Sequence, residues 1–384
     1  MLISVDEYHF MKEINEILKA YSRAASEGKK TALATVVKVE GSSYRQPGAR
    51  MLITEDGELT GAISGGCLEG DALRKALLSI HQKQNKLITY NTNNEDDIEL
   101  GLQLGCNGIV HILFEYIDNE VVNNPIQFLQ QLELERKEAV IVTVFSLKRN
   151  ASQIGTALFF RKDSPVLSYK NDILDLVSDV NEVLENKTSI VKKLQPENST
   201  EALIEYIKPA ISLVIAGAGN DVQPLVKMAS ILGWKITVGD GRATHAIEKR
   251  FPKANQVRVL KPEEFLEDIL IDDQTYFVLM THNYKYDLAV LKLLLETSCQ
   301  YIGILGPKTK LNRMLDDLQN EGINLNQEQL DRIYSPIGLN IGAETSEEIA
   351  LSIVSEIKSF STQKTGTSLK FKEGKIHDEI HYNE

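Results

Sequence analysis

Cysteine is scarce in this chain. Cys67, Cys106 and Cys299 are the only three in 384 residues. They lie too far apart for a disulfide framework or a zinc-binding pattern, so a reducing compartment is expected. Basic residues are also in deficit: 42 Lys and Arg stand against 54 Asp and Glu, a net charge of −12. That balance argues against nucleic acid as a partner, because binding its phosphates needs a basic surface. A local basic patch could still hold a phosphorylated small molecule. No apolar run is long enough to span a bilayer. The first residues, Met1 to Glu7, lack the basic region and apolar core of a secretory leader. Together these absences predict a cytoplasmic protein with neither nucleic acid nor membrane as partner.

What is present is enough chain for two domains with sizeable cores. The first half mixes strands and helices without regular alternation. It opens with an amphipathic helix over residues 6–26, then a buried strand at 33–39 and a hairpin of 51–54 with 59–63 across Asp56-Gly57. A helix from 68 to 80, strands at 87–90 and 109–116, a helix at 126–136 and strands at 139–147 and 156–160 follow. This reads as an α+β domain over residues 1–195. The stretch 171–200 is polar and acidic and marks the expected boundary. From residue 211, strand and helix alternate regularly, with strands at 213–216, 235–238, 256–259, 276–280 and 301–304. The fold class is therefore α/β, with a Rossmann-like doubly wound parallel sheet over 205–362. A helix is expected at 262–270, with proline first, and another at 345–360, opened by a Thr345–Glu348 capping box. Residues 363–384 read as a polar tail, whose His377 and His381 lack a helical context for metal binding.

Several segments could carry chemistry. The stretch Ser64-Gly65-Gly66-Cys67-Leu68-Glu69-Gly70-Asp71 places a cysteine between a glycine turn and a helix start. Gly65 and Gly66 allow successive amides to converge, and the helix dipole favours thiolate at Cys67. Cys67 thus suits a reactive sulfur or a soft metal ligand, although Glu69 and Asp71 oppose its charge. Upstream, Ser42, Ser43 and Arg45 lie in a loop ending Pro47-Gly48-Ala49-Arg50. It serves equally as an anion cradle or as a plain connection between strands. Cys106, between Gly105 and Asn107-Gly108, could approach a ligand or simply turn the chain.

In the second half, Gly217-Ala218-Gly219-Asn220 follows the first strand and begins a dinucleotide fingerprint, with Val222 where the third glycine belongs. Asp240, at the end of the next strand, is placed for a ribose hydroxyl, and Arg242 for a phosphate. His282, Gly306 and Lys308 fall at later strand ends, where ligands of such sheets bind.

In these motifs the chain resembles the XdhC/CoxI family, accessory proteins of xanthine dehydrogenase and related molybdenum hydroxylases. The resemblance rests on Gly41-Ser42-Ser43, Pro47-Gly48-Ala49-Arg50-Met51 and Ser64-Gly65-Gly66-Cys67-Leu68-Glu69. It continues through Gly217-Ala218-Gly219, Asp240-Gly241-Arg242, Thr281-His282, Gly306-Pro307-Lys308 and Ser335-Pro336-Ile337-Gly338-Leu339. It implies a non-catalytic chaperone that binds the molybdenum cofactor (molybdopterin). The chaperone presents the cofactor to a cysteine desulfurase for sulfuration and delivers it to an apo molybdenum hydroxylase. Cys67 would be a molybdenum ligand or sulfur relay, with Cys106 assisting. The glycine turn and Arg242 would hold the phosphate end. A homodimer with a ligand cleft between its domains is expected. Two other readings stay open. One is an NAD(P)-dependent oxidoreductase with His282 as acid–base group. The other is a non-catalytic nucleotide-binding scaffold, which predicts buried cysteines.

Overall fold

The computed structural model describes residues 12–91, 108–168, 176–195, 199–373 and 381–383. The chain forms two compact units, one around Lys12–Pro209 and one around Ala210–Phe371. Cys106 and His377 lie outside the described residues.

Helix α1 (Lys12–Ser26) opens the N-terminal unit and buries Ile14, Ile17 and Leu18, a helical stripe. Strands β1 (Thr31–Gly41), β2 (Arg50–Thr54), β3 (Leu59–Gly61), β4 (Lys86–Asn91) and β5 (Gly108–Tyr116) form an antiparallel sheet in the order β3-β2-β1-β5-β4. Helix α2 (Glu69–Gln82) covers one face, packing Leu68, Ala72, Ala76 and Ile80 on Ala32, Ala34 and Val36.

A second sheet contains β6 (Ala139–Ser146), β7 (Gly155–Phe160), β8 (Leu167–Ser168), β9 (Ile190–Gln195) and β10 (Thr200–Ile207). Helix α3 (Pro125–Leu134) precedes these strands, and α4 (Val177–Asn186) packs on the sheet. Val37 and Leu113 of the first sheet meet Phe145, Val191 and Leu203 of the second. Strand β1 is therefore covered on both faces, and every residue from Thr31 to Val37 is buried. The acidic stretch before residue 200 thus holds a helix and a strand of this unit. The chain leaves the unit only after β10. Residues 381–383 return as a short strand alongside β9.

The C-terminal unit is a six-stranded parallel sheet of β11 (Ser212–Ala216), β12 (Lys235–Asp240), β13 (Gln256–Val259), β14 (Thr275–Leu279), β15 (Ile302–Ile304) and β16 (Ile333–Tyr334). Its order, β13-β12-β11-β14-β15-β16, reverses direction between β11 and β14. That reversal is the switch point of a Rossmann-type sheet. Leu213 and Ile215 face α5 (Val222–Ile231) and α9 (Ser346–Ser361); Val214 and Ala216 face the side covered by α6 (Tyr284–Leu295) and α7 (Lys308–Asn320), and the short α8 (Gln327–Asp331) leads into β16. Thr345 caps α9 through the expected box with Glu348.

The helix expected at 262–270 is instead one 3-10 turn, Pro262–Glu264. Asp268 turns left-handed at φ 60°, and Arg258 captures the carbonyl of Glu267 at 2.5 Å, so an α-helix cannot propagate. The short strand β16 had no apolar run long enough to announce it. Among the described residues no helix is long and apolar enough to cross a membrane.

Candidate functional site

Cys67 is exposed, in the turn just before α2. Ser64 anchors that turn: its hydroxyl accepts the amides of Gly66 and Leu68, both at 3.1 Å, and lies 3.7 Å from the Cys67 sulfur. The same hydroxyl donates to Glu69, whose carboxylate also accepts the amides of Ser64 and Leu68 at 3.1 Å. The amides do converge, but on groups of the chain itself. The turn is therefore a rigid pedestal for the thiol rather than an open anion nest.

The Gly65 backbone lies against the Tyr44 ring, where even an added Cβ would sit at ordinary contact distance, 3.4 Å. That contact brings the Ser42–Ser43 loop onto the Cys67 turn. Gly108, at the start of β5, packs on the Ser42 carbonyl. The two arginines of this region are occupied. Arg45 pairs with Glu13, and Arg50, fully enclosed, pairs with Glu205.

In the C-terminal unit, the 217–220 turn, Asp240, Arg242 and His282 come together where β11, β12 and β14 end. Gly217 has φ +132°, and a Cβ there would strike the Met280 carbonyl at 2.5 Å. Asp240 is 2% exposed and accepts four hydrogen bonds. The amides of Ala218 and Arg242 each donate at 2.8 Å; the Arg242 guanidinium donates through Nε at 2.9 Å and Nη2 at 2.6 Å. A carboxylate offers about four lone-pair positions, so no acceptor is left for a ribose diol while Arg242 stays in place. Burial raises the Asp240 pKa, but the hydrogen bonds from Arg242 and Ala218 outweigh it and hold the group below its ordinary value.

His282 is exposed and sits 2.8 Å from Asp221 through Nε2. Gly306, φ +131°, and Lys308, exposed at the start of α7, stand at the end of β15. Among the described residues no group of three or more His, Cys, Asp or Glu side chains could cage a metal ion.

The sequence model of the XdhC and CoxI family matches residues 24–91, and that of the XdhC Rossmann domain matches 213–357. A probable xanthine dehydrogenase subunit from Bacillus subtilis (strain 168) is 30% identical over 325 residues, which is 85% of this chain and 91% of that protein. The chain belongs to the XdhC and CoxI family. An Escherichia coli (strain K12) relative, the molybdenum cofactor insertion chaperone PaoD, is 23% identical over 89% of this chain and 87% of its own. A crystal structure described as a xanthine dehydrogenase from Bacillus halodurans aligns with a TM-score of 0.73 at 30% identity. The alignment covers 92% of this chain and 98% of that one.

Some groups that shape this XdhC-family site escaped the sequence reading. Arg250 ties down the glycine turn, donating to the Ala218 carbonyl at 2.6 Å and to Asn220 Oδ1 at 2.9 Å. Nothing in its surroundings, Lys249 and Phe251, flags it. Asp287, 0% exposed, accepts from Thr281 and from Lys310 at 2.7 Å beside the His282 turn. The pattern Thr281-x5-Asp287 at a strand end was the available signal, since a buried acid needs a nearby partner. Glu69 was legible only as a helix-start acid, not as the acceptor that closes the Cys67 turn.

Proposed function

We propose that this protein is a cytoplasmic molybdenum cofactor chaperone, with the cofactor as its cargo rather than its resident group. It holds the cofactor for sulfuration by a cysteine desulfurase and passes it to a xanthine dehydrogenase-type molybdenum hydroxylase, acting as a homodimer. The observation that carries this reading is the exposed thiol of Cys67 on a turn closed by Ser64 and Glu69.

Among the described residues this thiol has no ligand cage around it. Such a thiol suits transient contact with a soft metal or its sulfur, because a resident metal needs several ligands. The cofactor supplies molybdenum and a sulfur position that a thiolate can meet. Cys67 supplies that contact. Gly65 and Gly66 keep the approach to it free of side chains, and Ser42 and Ser43 offer hydroxyls from the adjoining loop. Cys106 remains the proposed assisting thiol. In the C-terminal unit the 217–220 turn, Arg242 and Lys308 are the elements proposed for phosphate, with His282 and Gly306 flanking them.

The relatives support this reading through PaoD, a molybdenum cofactor insertion chaperone. The scaffold reading needs a buried Cys67, which is exposed; the NAD(P) reading needs a free Asp240, which is fully bonded.

The test is native mass spectrometry of protein purified from molybdenum-replete cells, paired with dehydrogenase activity in cells carrying Cys67→Ser. A copurifying pterin, lost in Cys67→Ser together with most dehydrogenase activity, is expected. Absence of any pterin, or full dehydrogenase activity with Cys67→Ser, would overturn the reading.

A further inference from the structure

Asp221 is the N-cap residue of α5, a position where Asp ordinarily accepts an amide of the first turn, yet its side chain makes no capping hydrogen bond. Its carboxylate goes elsewhere. Oδ2 lies 2.8 Å from His282 Nε2, and Oδ1 lies over Gly219, 2.3 Å from where a Cβ would be. His282 reaches this contact from a left-handed backbone, φ 57°, uncommon for a residue other than glycine. Two local preferences are thus given up at once to keep one carboxylate above one glycine.

That glycine matters because the second glycine of such a turn is the point where backbone and pyrophosphate approach each other. Here the chain's own anion fills that approach. We propose that Asp221 is a plug in the phosphate-binding turn, held by His282, and that a phosphate group enters only when the Asp221 carboxylate leaves Gly219. The plug sets both selectivity and timing. Like charges at hydrogen-bond distance repel, so the turn rejects free phosphates that bring too little binding energy elsewhere to displace the carboxylate. A larger cargo, anchored by other contacts, can displace the carboxylate.

This inference rests on reading the 217–220 turn as a phosphate element, and the test separates the two. Inorganic pyrophosphate is titrated calorimetrically into the full-length wild type, Asp221→Asn and Asp221→Ser. Asp268→Asn, which removes a carboxylate elsewhere in the same unit, controls for general charge. Asn keeps the shape and a hydrogen bond to His282 while removing the charge; Ser keeps N-cap character, so a folding defect in one variant does not decide the result.

Pyrophosphate is expected to bind both Asp221 variants at least tenfold more tightly than wild type, with Asp268→Asn within twofold of wild type. Equal affinity in wild type and both variants overturns the plug while leaving the phosphate turn standing. A matching gain in Asp268→Asn also overturns the plug. No binding to any form overturns the phosphate reading of the turn, and the plug with it. Thermal melts of each variant confirm that it is folded at the temperature of titration.

Discussion

Thr156 of β7 donates its amide at 2.6 Å and its hydroxyl at 2.8 Å to the carboxylate of Glu115 on β5, joining the two sheets of the N-terminal unit. Gly155 makes this possible, because a Cβ there would lie 2.3 Å from Glu115 Oε1. Glu115 is only 2% exposed. Burial raises its pKa to about 7, against the hydrogen bonds of Thr156 and the charge of Arg50.

A pH dependence of stability follows from that shift. Between about pH 4.5 and 7 the folded chain keeps a proton on Glu115 that the unfolded chain has released. The stabilising contribution is therefore complete below that window and is lost as pH rises through it, at up to about 1.4 kcal/mol per pH unit. Glu115→Gln imitates the protonated form. Urea unfolding should find it close to wild type at pH 5 and more stable at pH 8. Parallel pH profiles for the two proteins would refute the assignment.

Arg50 and Glu205 form a bidentate pair in the same interior, and Gly48, at φ +95°, packs directly on the Glu205 carboxylate. Burial lowers the Arg50 pKa, but the charge and hydrogen bonds of Glu205 more than restore it. Glu205→Gln leaves an enclosed guanidinium without its main counter-charge and should cost about 3–5 kcal/mol in urea unfolding. It should also flatten the Glu115 profile, because Arg50 then draws on Glu115 as its acid. Gly48→Ala places a Cβ 2.5 Å from Glu205 Oε1 and should destabilise as well. A loss below about 1 kcal/mol for Glu205→Gln would show that the pair is not the keystone it resembles.

The parallel sheet apart from β16 was legible because its central strands are short apolar runs between turn residues, and the helices are amphipathic. Gln256–Val259 was placed residue for residue, and Ser212–Ala216 to within one. The site was legible where a residue type has one use: glycines at 217 and 219, a cysteine before a helix. It was not legible where two charges choose each other. Arg45 reads as an anion ligand until Glu13 takes it. Asp240 and Arg242 read as separate ligand groups until they bond to one another. Such pairings depend on side chains meeting across the fold, and a spacing rule cannot express them.

Arg242 is predicted to act first as the partner of Asp240. Arg242→Ala removes three of the four bonds to a buried carboxylate when the amide contact loosens with the loop, and two at once. At pH 7 the loss should be about 1–3 kcal/mol, the cost of leaving a buried acceptor short of donors. Because the native pKa of Asp240 is depressed, its contribution is present above the unfolded value and fades as pH falls through the native one. The gap between wild type and Arg242→Ala should therefore close in strong acid. A gap that stays constant to acid unfolding would point to lost packing instead.

Cys67 and Cys299 offer a direct contrast in one chain. Cys67 is exposed, whereas Cys299 is buried with its thiol pKa raised by desolvation. Reaction with a thiolate-specific reagent depends on access and on thiolate fraction; exposure opens Cys67 to it, whereas burial and the raised pKa hold Cys299 back. In a Cys106→Ser background, Ellman's reagent should label one thiol in the native protein and the second only in denaturant. Peptide mapping should place the native label on Cys67. Cys67→Ser removes no buried contact and should shift stability by no more than about 0.5 kcal/mol. Ser64→Ala should behave differently, because Gly66 and Leu68 lose the hydroxyl that accepts their amides. Hydrogen exchange should accelerate at the Gly66 amide above all, since Glu69 still accepts the Leu68 amide, while α2 beyond its first turn stays protected. If exchange there is unchanged, Ser64 does not hold the pedestal, and the fixed presentation of the thiol loses its structural cause.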